Sequence, residues 1–301
     1  DMSTSHTETV TVPSYWVKGL VRNTDTSTDY YKIQDAVDNA SSGDTLHIWA
    51  WTYSENIEVD ESITIIGNGT GNTTLNATSS GKGFDITSDD VTIKNIKVEG
   101  CGNTDSYNGI QANGDDAIIE DVRVSKCHKG ISVGGSGVWI GNSTITNNYD
   151  SGINVFVGDT SASAVKVYNN VISWNTKEGV RSVEDDVIIK SNIIRNNTGD
   201  GIYFEGAADS VIEGNTIVDN DDGITVFNGA PRVLIKDNTI SDSDKRGISV
   251  TGSSSHDGVI EANTVTNSGH QGILIQHSDY YYLGNTSVSG SGTYDIHFHK
   301  T

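Results

Sequence analysis

Val187-Ile188-Ile189-Lys190-Ser191-Asn192-Ile193-Ile194 and, six residues further on, Gly201-Ile202-Tyr203-Phe204 decide how this chain folds. In both stretches the recurring apolar positions, Val187 with Ile189 and Ile202 with Phe204, stand two residues apart, the signature of strands with one face buried. Both stretches recur. The Gly-apolar motif returns at Gly83, Gly109, Gly130, Gly152, Gly179, Gly201, Gly223, Gly247 and Gly272, at intervals of 21 to 27 residues. The V-x-I-x-x-N-x-I stretch returns at Val233 to Ile240 and, with Val at the end, at Val259 to Val265. A repeat of nearly constant length with drifting spacing is a fixed coil carrying loops of variable length.

Three short strands per coil bury a single core only if successive coils stack. The expected fold is therefore all-β, a single-stranded right-handed parallel β-helix of about ten three-strand coils. Asn142, Asn170, Asn192, Asn215, Asn238, Asn263 and Asn285 are expected to superpose as an asparagine ladder that satisfies buried backbone groups. On that reading Asn142 is closed to glycosylation. Ile33, Ala36, Val37 and Ala40 fall on one helical stripe, so residues 31–40 are expected to be a capping helix. The division that follows is an N-terminal extension over 1–30 and the β-helix over 31–301. Within the extension, Thr7 to Val12 alternate like a strand and form a candidate arm. Such an arm suits head-to-tail homo-assembly on the C-terminal edge strand, Asp295 to Thr301.

Composition narrows the function. Two prolines, one methionine and 33 glycines suit strands and turns, and a net charge of −21 opposes nucleic acid and anionic membranes as partners. No apolar run approaches the length of a membrane span. The start at Asp1, in a Ser/Thr-rich stretch, reads as a mature exported form, so an extracellular or cell-surface location is expected. Seven sequons, at Asn39, Asn68, Asn72, Asn76, Asn142, Asn196 and Asn285, permit a glycoprotein. Cys101 and Cys127 follow equivalent strand positions in adjacent coils, and the spacing between stacked strands lies within the reach of a disulfide. The two are expected to be bridged.

The run Ile33-Gln34-Asp35-Ala36-Val37, Gly43-Asp44-Thr45-Leu46, Tyr53-Ser54-Glu55-Asn56-Ile57 and Ile63-Thr64-Ile65-Ile66-Gly67 resembles the opening of NosD-like, pectin-lyase-fold repeat proteins of microbial surfaces. Ala50-Trp51 departs from the glycine turn usual there, leaving Trp49 and Trp51 without a role. The resemblance implies ligands lying along the sheet built by the Gly-apolar-x-apolar strands. It does not select among lyases, hydrolases, epimerases, adhesins and envelope proteins.

Phe156, Phe227, Asn154 and Lys177 are the candidate glycan-binding residues on that sheet, where exposed aromatics stand beside polar and charged groups. Arg181, Tyr203 and Glu205 are the catalytic candidates if the chain is an enzyme. Glu178, Asp200 and Asp222, each just before a motif glycine, are expected to line up as a candidate cation site, with Ca²⁺ the suited ion and no cofactor otherwise required. His270, His277, His297 and His299 form a weaker candidate for a transition metal. The motifs of alginate epimerases, pectate lyases and polygalacturonases do not occur. The sequence thus favours a secreted, non-catalytic envelope or matrix protein that assembles and binds a polysaccharide, with a polysaccharide lyase, epimerase or hydrolase as the alternative.

Overall fold

The computed structural model describes residues 20–79, 81–156, 163–252, 255–278 and 280–299. The arm at Thr7 to Val12 lies outside them. Three-residue and four-residue strands stack into three long parallel sheets. Sheets B and C have 11 strands each; sheet A has 13, because two antiparallel strands are added at its first edge. Among the described residues the rod therefore has eleven rungs, two more than the nine motif glycines and one more than the ten coils expected. Each rung runs from sheet A to sheet B to sheet C. Among the described residues no helix is long and apolar enough to cross a membrane.

In the repeating strands of sheets A and B the middle residue points inward, whereas in sheet C the first and third do. Ile189, Ile212 and Ile235 stack under sheet A, Ile194, Ile217 and Ile240 under sheet B, and Ile202, Ile224 and Ile248 under sheet C, all fully buried. Like residues stacked on like residues fill the interior without voids, so truncating one to alanine costs about 2–5 kcal/mol. Where a small Ser182 enters the column of sheet C, its neighbour one rung on is the large, fully buried Phe204.

The turn from sheet A to sheet B holds one residue with φ between 47° and 64° in nine successive rungs, from Asn95 to Asn285. Asn, Asp, Ser and Gly fill most of these positions because short polar side chains and glycine tolerate that conformation. This corrects the ladder. Asn142 and Asn285 are these left-handed turn residues and are exposed, while Ser143 and Thr286, one residue later, take the inward position. The ladder runs Ser143, Asn170, Asn192, Asn215, Asn238, Asn263, Thr286, with Asn amides donating to the next Asn Oδ1 at 3.0–3.1 Å. Asn142 is thus open to solvent, with its amide on Glu120.

A second ladder lies five residues further along each rung. Asn148, Asn175 and Asn197 each donate to the next member, ending at Asn220, at 2.9–3.0 Å, and all four are at most 3% exposed. Cys101 and Cys127 occupy the same column below Asn148 and form the expected disulfide, with Cα atoms 4.5 Å apart.

The N-terminal cap differs from expectation. The helix α1 is only Ile33–Val37, and the cap is shared with a hairpin of β1 (Val21–Asn23) and β2 (Thr28–Tyr30). β1 pairs antiparallel with β3 (Thr45–Ile48), so residues from 21 onward belong to the rod. Glu55 holds α1 by accepting the backbone N–H groups of Ile33 and Gln34. Trp49 and Trp51 stand about half exposed beside the cap, Trp49 edge-on to His47.

Candidate functional site

The glycine motif positions the site. A Cβ on Gly130 would lie 2.5 Å from the Gly152 carbonyl oxygen and 2.4 Å from an Ile145 methyl, so only glycine lets the rungs close there. The two residues before each glycine then form columns along the rim of sheet C, joined by rung-to-rung backbone bonds such as Asp150 to His128 and Lys177 to Asp150.

Those rim columns and the outer face of sheet C enclose an open groove of about 500 Å³, lined by Asp105, His128, Lys129, Asp150, Asn154, Lys177, Glu178 and Arg181. Its charges are organised in pairs. Lys177 Nζ is 2.6 Å from Asp150, Lys129 is 3.3 Å from Asp105, and His128 stands between, 3.5 Å from Asp105 and 3.9 Å from Asp150. Burial, aided by Lys129, holds the His128 imidazole below its ordinary pKa. Burial pushes Asp150 up, but Lys177 and Ser151 outweigh it and leave that carboxyl below the usual range.

Beyond the groove the sheet face continues as a platform. Arg181 donates to Glu205 at 3.0 Å and lies over the Tyr203 ring, 5.7 Å from its centre. Tyr203 and Phe227 are 6.4 Å apart. Burial and then Glu205 raise the Tyr203 phenol above its ordinary value, so it carries its proton at neutral pH. Arg181, Tyr203, Glu205 and Phe227 are therefore brought together, with Asn154 and Lys177 beside them in the groove. Phe156 is not part of this platform: Val183 and Glu205 intervene between it and Phe227 in the column, and it packs over Gly134 instead.

Glu178, Asp200 and Asp222 occupy successive rungs of one rim column as expected. They do not form one ligand set. Glu178 accepts the Ser151 hydroxyl at 2.8 Å, and Asp222 is held by the Arg246 backbone N–H at 2.7 Å and its guanidinium at 3.1 Å. An internal cation already answers Asp222, and among the described residues no group of three or more His, Cys, Asp or Glu side chains has the geometry to hold a metal. The same applies to His277, His297 and His299, whose rings gather at 5.8 and 6.1 Å without converging.

Burial raises Asp222 above its ordinary value even with Arg246 beside it, and Asp200 goes further. Burial, with Asp222 and Asp221 adding repulsion against the help of Thr225, pushes it up to about 6. In the neighbouring rim column its own rung carries Gly199, and the nearest cation on the Asp222 side, Lys245, acts on it from two rungs away. Sequence reasoning missed His128, Lys129, Asp150 and Asp105. The signal was positional: His128, Asp150 and Lys177 each stand two residues before a motif glycine.

Residues 82–162 and 155–300 match the family model described as right handed beta helix region. Among solved structures the chain is similar to the A-module of a mannuronan C-5 epimerase from Azotobacter vinelandii, at 17% identity and TM-score 0.68, covering 89% of this chain and 93% of that one. It is similar to the catalytic unit of a GH87 α-1,3-glucanase from Streptomyces thermodiastaticus, at 17% identity and TM-score 0.69 over 88% of this chain and 63% of that one. The Dettilon tailspike protein matches at 14% identity and TM-score 0.63, over 93% and 67%. No curated protein sequence matches the chain. Likeness at these identities shows the fold alone. With three stacked parallel sheets, an asparagine ladder and a family match over most of its length, the chain belongs to the right-handed β-helix family.

Proposed function

We propose that this protein is an extracellular polysaccharide-processing enzyme that holds one glycan along the outer face of sheet C and works by acid chemistry at Asp200. The single observation that carries this is Asp200: a carboxyl pushed up to about 6, close to Tyr203 of the Arg181, Tyr203 and Glu205 platform and one rung beyond Glu178, which lines the open polar groove. A carboxyl with a pKa near 6 holds its proton in mildly acidic solution and retains a protonated fraction at neutrality, which suits it to protonate a glycosidic oxygen. Glu178, the next carboxylate in the column, is the candidate counterpart. With the Tyr203 phenol holding its proton, the acid role falls to Asp200 and the reaction we favour is hydrolysis. The likeness to an epimerase and a glucanase supports a polysaccharide as the class of ligand, and the disulfide supports an exported location.

The test is incubation with a panel of neutral and uronate polysaccharides, with and without Ca²⁺, reading new reducing ends, unsaturated uronates and epimerised residues in parallel. Hydrolysis predicts new reducing ends that disappear in Asp200→Asn. Unsaturated products would reassign the reaction to a lyase and remove Asp200 from its role.

A second reading is a non-catalytic envelope or matrix protein that binds glycans. It is favoured by the ion pairing of Lys129, Lys177 and Arg181, which are each already answered by a carboxylate. Head-to-tail assembly on strand Ile296–His299 belongs to this reading. Light scattering of a chain lacking residues 1 to 14 tests that assembly, and glycan binding without any turnover would favour the reading as a whole.

A further inference from the structure

The outer face of sheet A is unlike the rest of this acidic surface. Its first outward column runs Trp139, Lys166, Ile188, Val211, Leu234, Val259 and Tyr282 in unbroken register, with one charged residue in seven rungs. Strand propensity does not require this. At the same rungs the outward column of sheet B reads Thr144, Val171, Ile193, Thr216, Thr239, Thr264 and Ser287, hydroxyl-bearing at five of the seven. The second outward column of sheet A, two residues along each strand, reads Tyr168, Lys190, Glu213, Lys236, Glu261 and Gly284.

That order has a property its local ion pairs do not explain. Within the chain Lys190 pairs with Glu213 at 3.0 Å and Lys236 with Glu261 at 3.1 Å. Read backwards, the sequence Lys-Glu-Lys-Glu becomes its own electrostatic complement. A two-fold axis along the strand direction, passing between the rungs of Val211 and Leu234, reverses the order of rungs and keeps each column opposite itself. Val211 then meets Leu234 of a second copy, Ile188 meets Val259, Lys190 meets Glu261 and Glu213 meets Lys236. At the margins Lys166 meets the Tyr282 ring, a cation over an aromatic face, and because that ring lies over Gly284 it also stands opposite Tyr168. The other face-to-face two-fold, along the rod, sets the apolar column against the charged one and is disfavoured.

We infer that the outer face of sheet A is an isologous docking surface for a second copy of this chain, the two rods lying antiparallel side by side. A two-fold contact of this kind closes at two copies, unlike a head-to-tail contact. It leaves the grooves on both sheet C faces open. Five rung spacings of about 4.8 Å and about five residues of about 3.3 Å across give roughly 24 by 16 Å, or about 400 Å² per copy. A contact of that size is transient, so the dimer forms reversibly at high protein concentration.

Sedimentation equilibrium of the full chain, over a series reaching the millimolar range, is the test. The expected result is a monomer–dimer equilibrium that Leu234→Asp abolishes without lowering the melting temperature, since Leu234 points outward. Lys190→Glu alone sets a new carboxylate against Glu261 of the other copy and weakens the dimer tenfold or more. The double variant Lys190→Glu with Glu261→Lys restores it, although both ion pairs within the chain are then broken. A wild-type chain that stays monomeric, polymers that grow without limit, or a double variant no better than the single one would each overturn the inference.

Discussion

The backbone N–H of Cys127 donates to Oδ1 of Asn148 at 3.2 Å, which joins the disulfide to the second asparagine ladder as one continuous column. Below Asn148 the column is covalent and apolar, with Cys101, Cys127 and Ala77 fully buried; above it the column is a chain of amides. The bridge closes a separation of 26 residues. Replacing both cysteines with alanine is expected to cost about 3 kcal/mol, read as a lower urea midpoint under oxidising conditions. Adding reductant is expected to lower the wild-type midpoint towards that of the variant and to leave the variant where it is.

The corrected register of the first ladder separates two asparagines that look alike in the sequence. Asn192→Ala removes the acceptor of two bonds from Asn170 and the donor to Asn215, all buried, at an expected cost of about 1–3 kcal/mol. Asn142→Gly acts on an exposed left-handed turn residue and is expected to stay within about 0.5 kcal/mol of wild type. Chemical denaturation of the two variants decides the register.

The raised pKa of Asp200 has a signature in stability. Its folded value is about 6 against an ordinary 3.8, so between about pH 4 and pH 6 the folded chain binds more protons than the unfolded one. Stability from this group is therefore full below about pH 4, falls as pH rises through 6, and then stays level. Asp200→Asn removes that loss. The variant is expected to be the more stable chain at pH 8, by about 3 kcal/mol at most, with the gap closing by pH 4. Melting temperatures across the range check the sign.

Binding to a soluble glycan that the chain retains is expected to depend on the platform more than on the outlying aromatic. Tyr203→Ala removes both the ring under Arg181 and the contact with Phe227, and is expected to weaken binding about tenfold. Phe156→Ala, acting on a ring that rests on Gly134, is expected to change it less than twofold. Isothermal titration distinguishes the two.

Periodicity carried the fold because a stacked core repeats the same apolar positions: Ile189, Ile212 and Ile235 announce themselves once the repeat is found. The ladder is offset by one residue at Asn142 and Asn285 because residue type is a poorer guide there than position. Counting five residues from Val138 and Tyr281, as from Val187 to Asn192, gives Ser143 and Thr286. The second ladder is equally countable, five residues after the first. The site is less legible. Tyr203, Arg181 and Glu205 share one sheet face and follow from the alternation, but His128, Asp150 and Lys177 differ in chemistry, so no motif marks their column. The partnering of Asp222 with Arg246 depends on side-chain direction across a rung, which spacing does not encode.

Each rung hydrogen-bonds only to the one before it and the one after it, so local opening in such a rod proceeds as fraying from its extremities inward. Arg181, Tyr203 and Asp200 stand in mid-rod rungs, flanked on either side by several others. Hydrogen exchange is therefore expected to be slowest around the groove and fastest at the margins, the reverse of enzymes whose reacting groups sit on mobile loops.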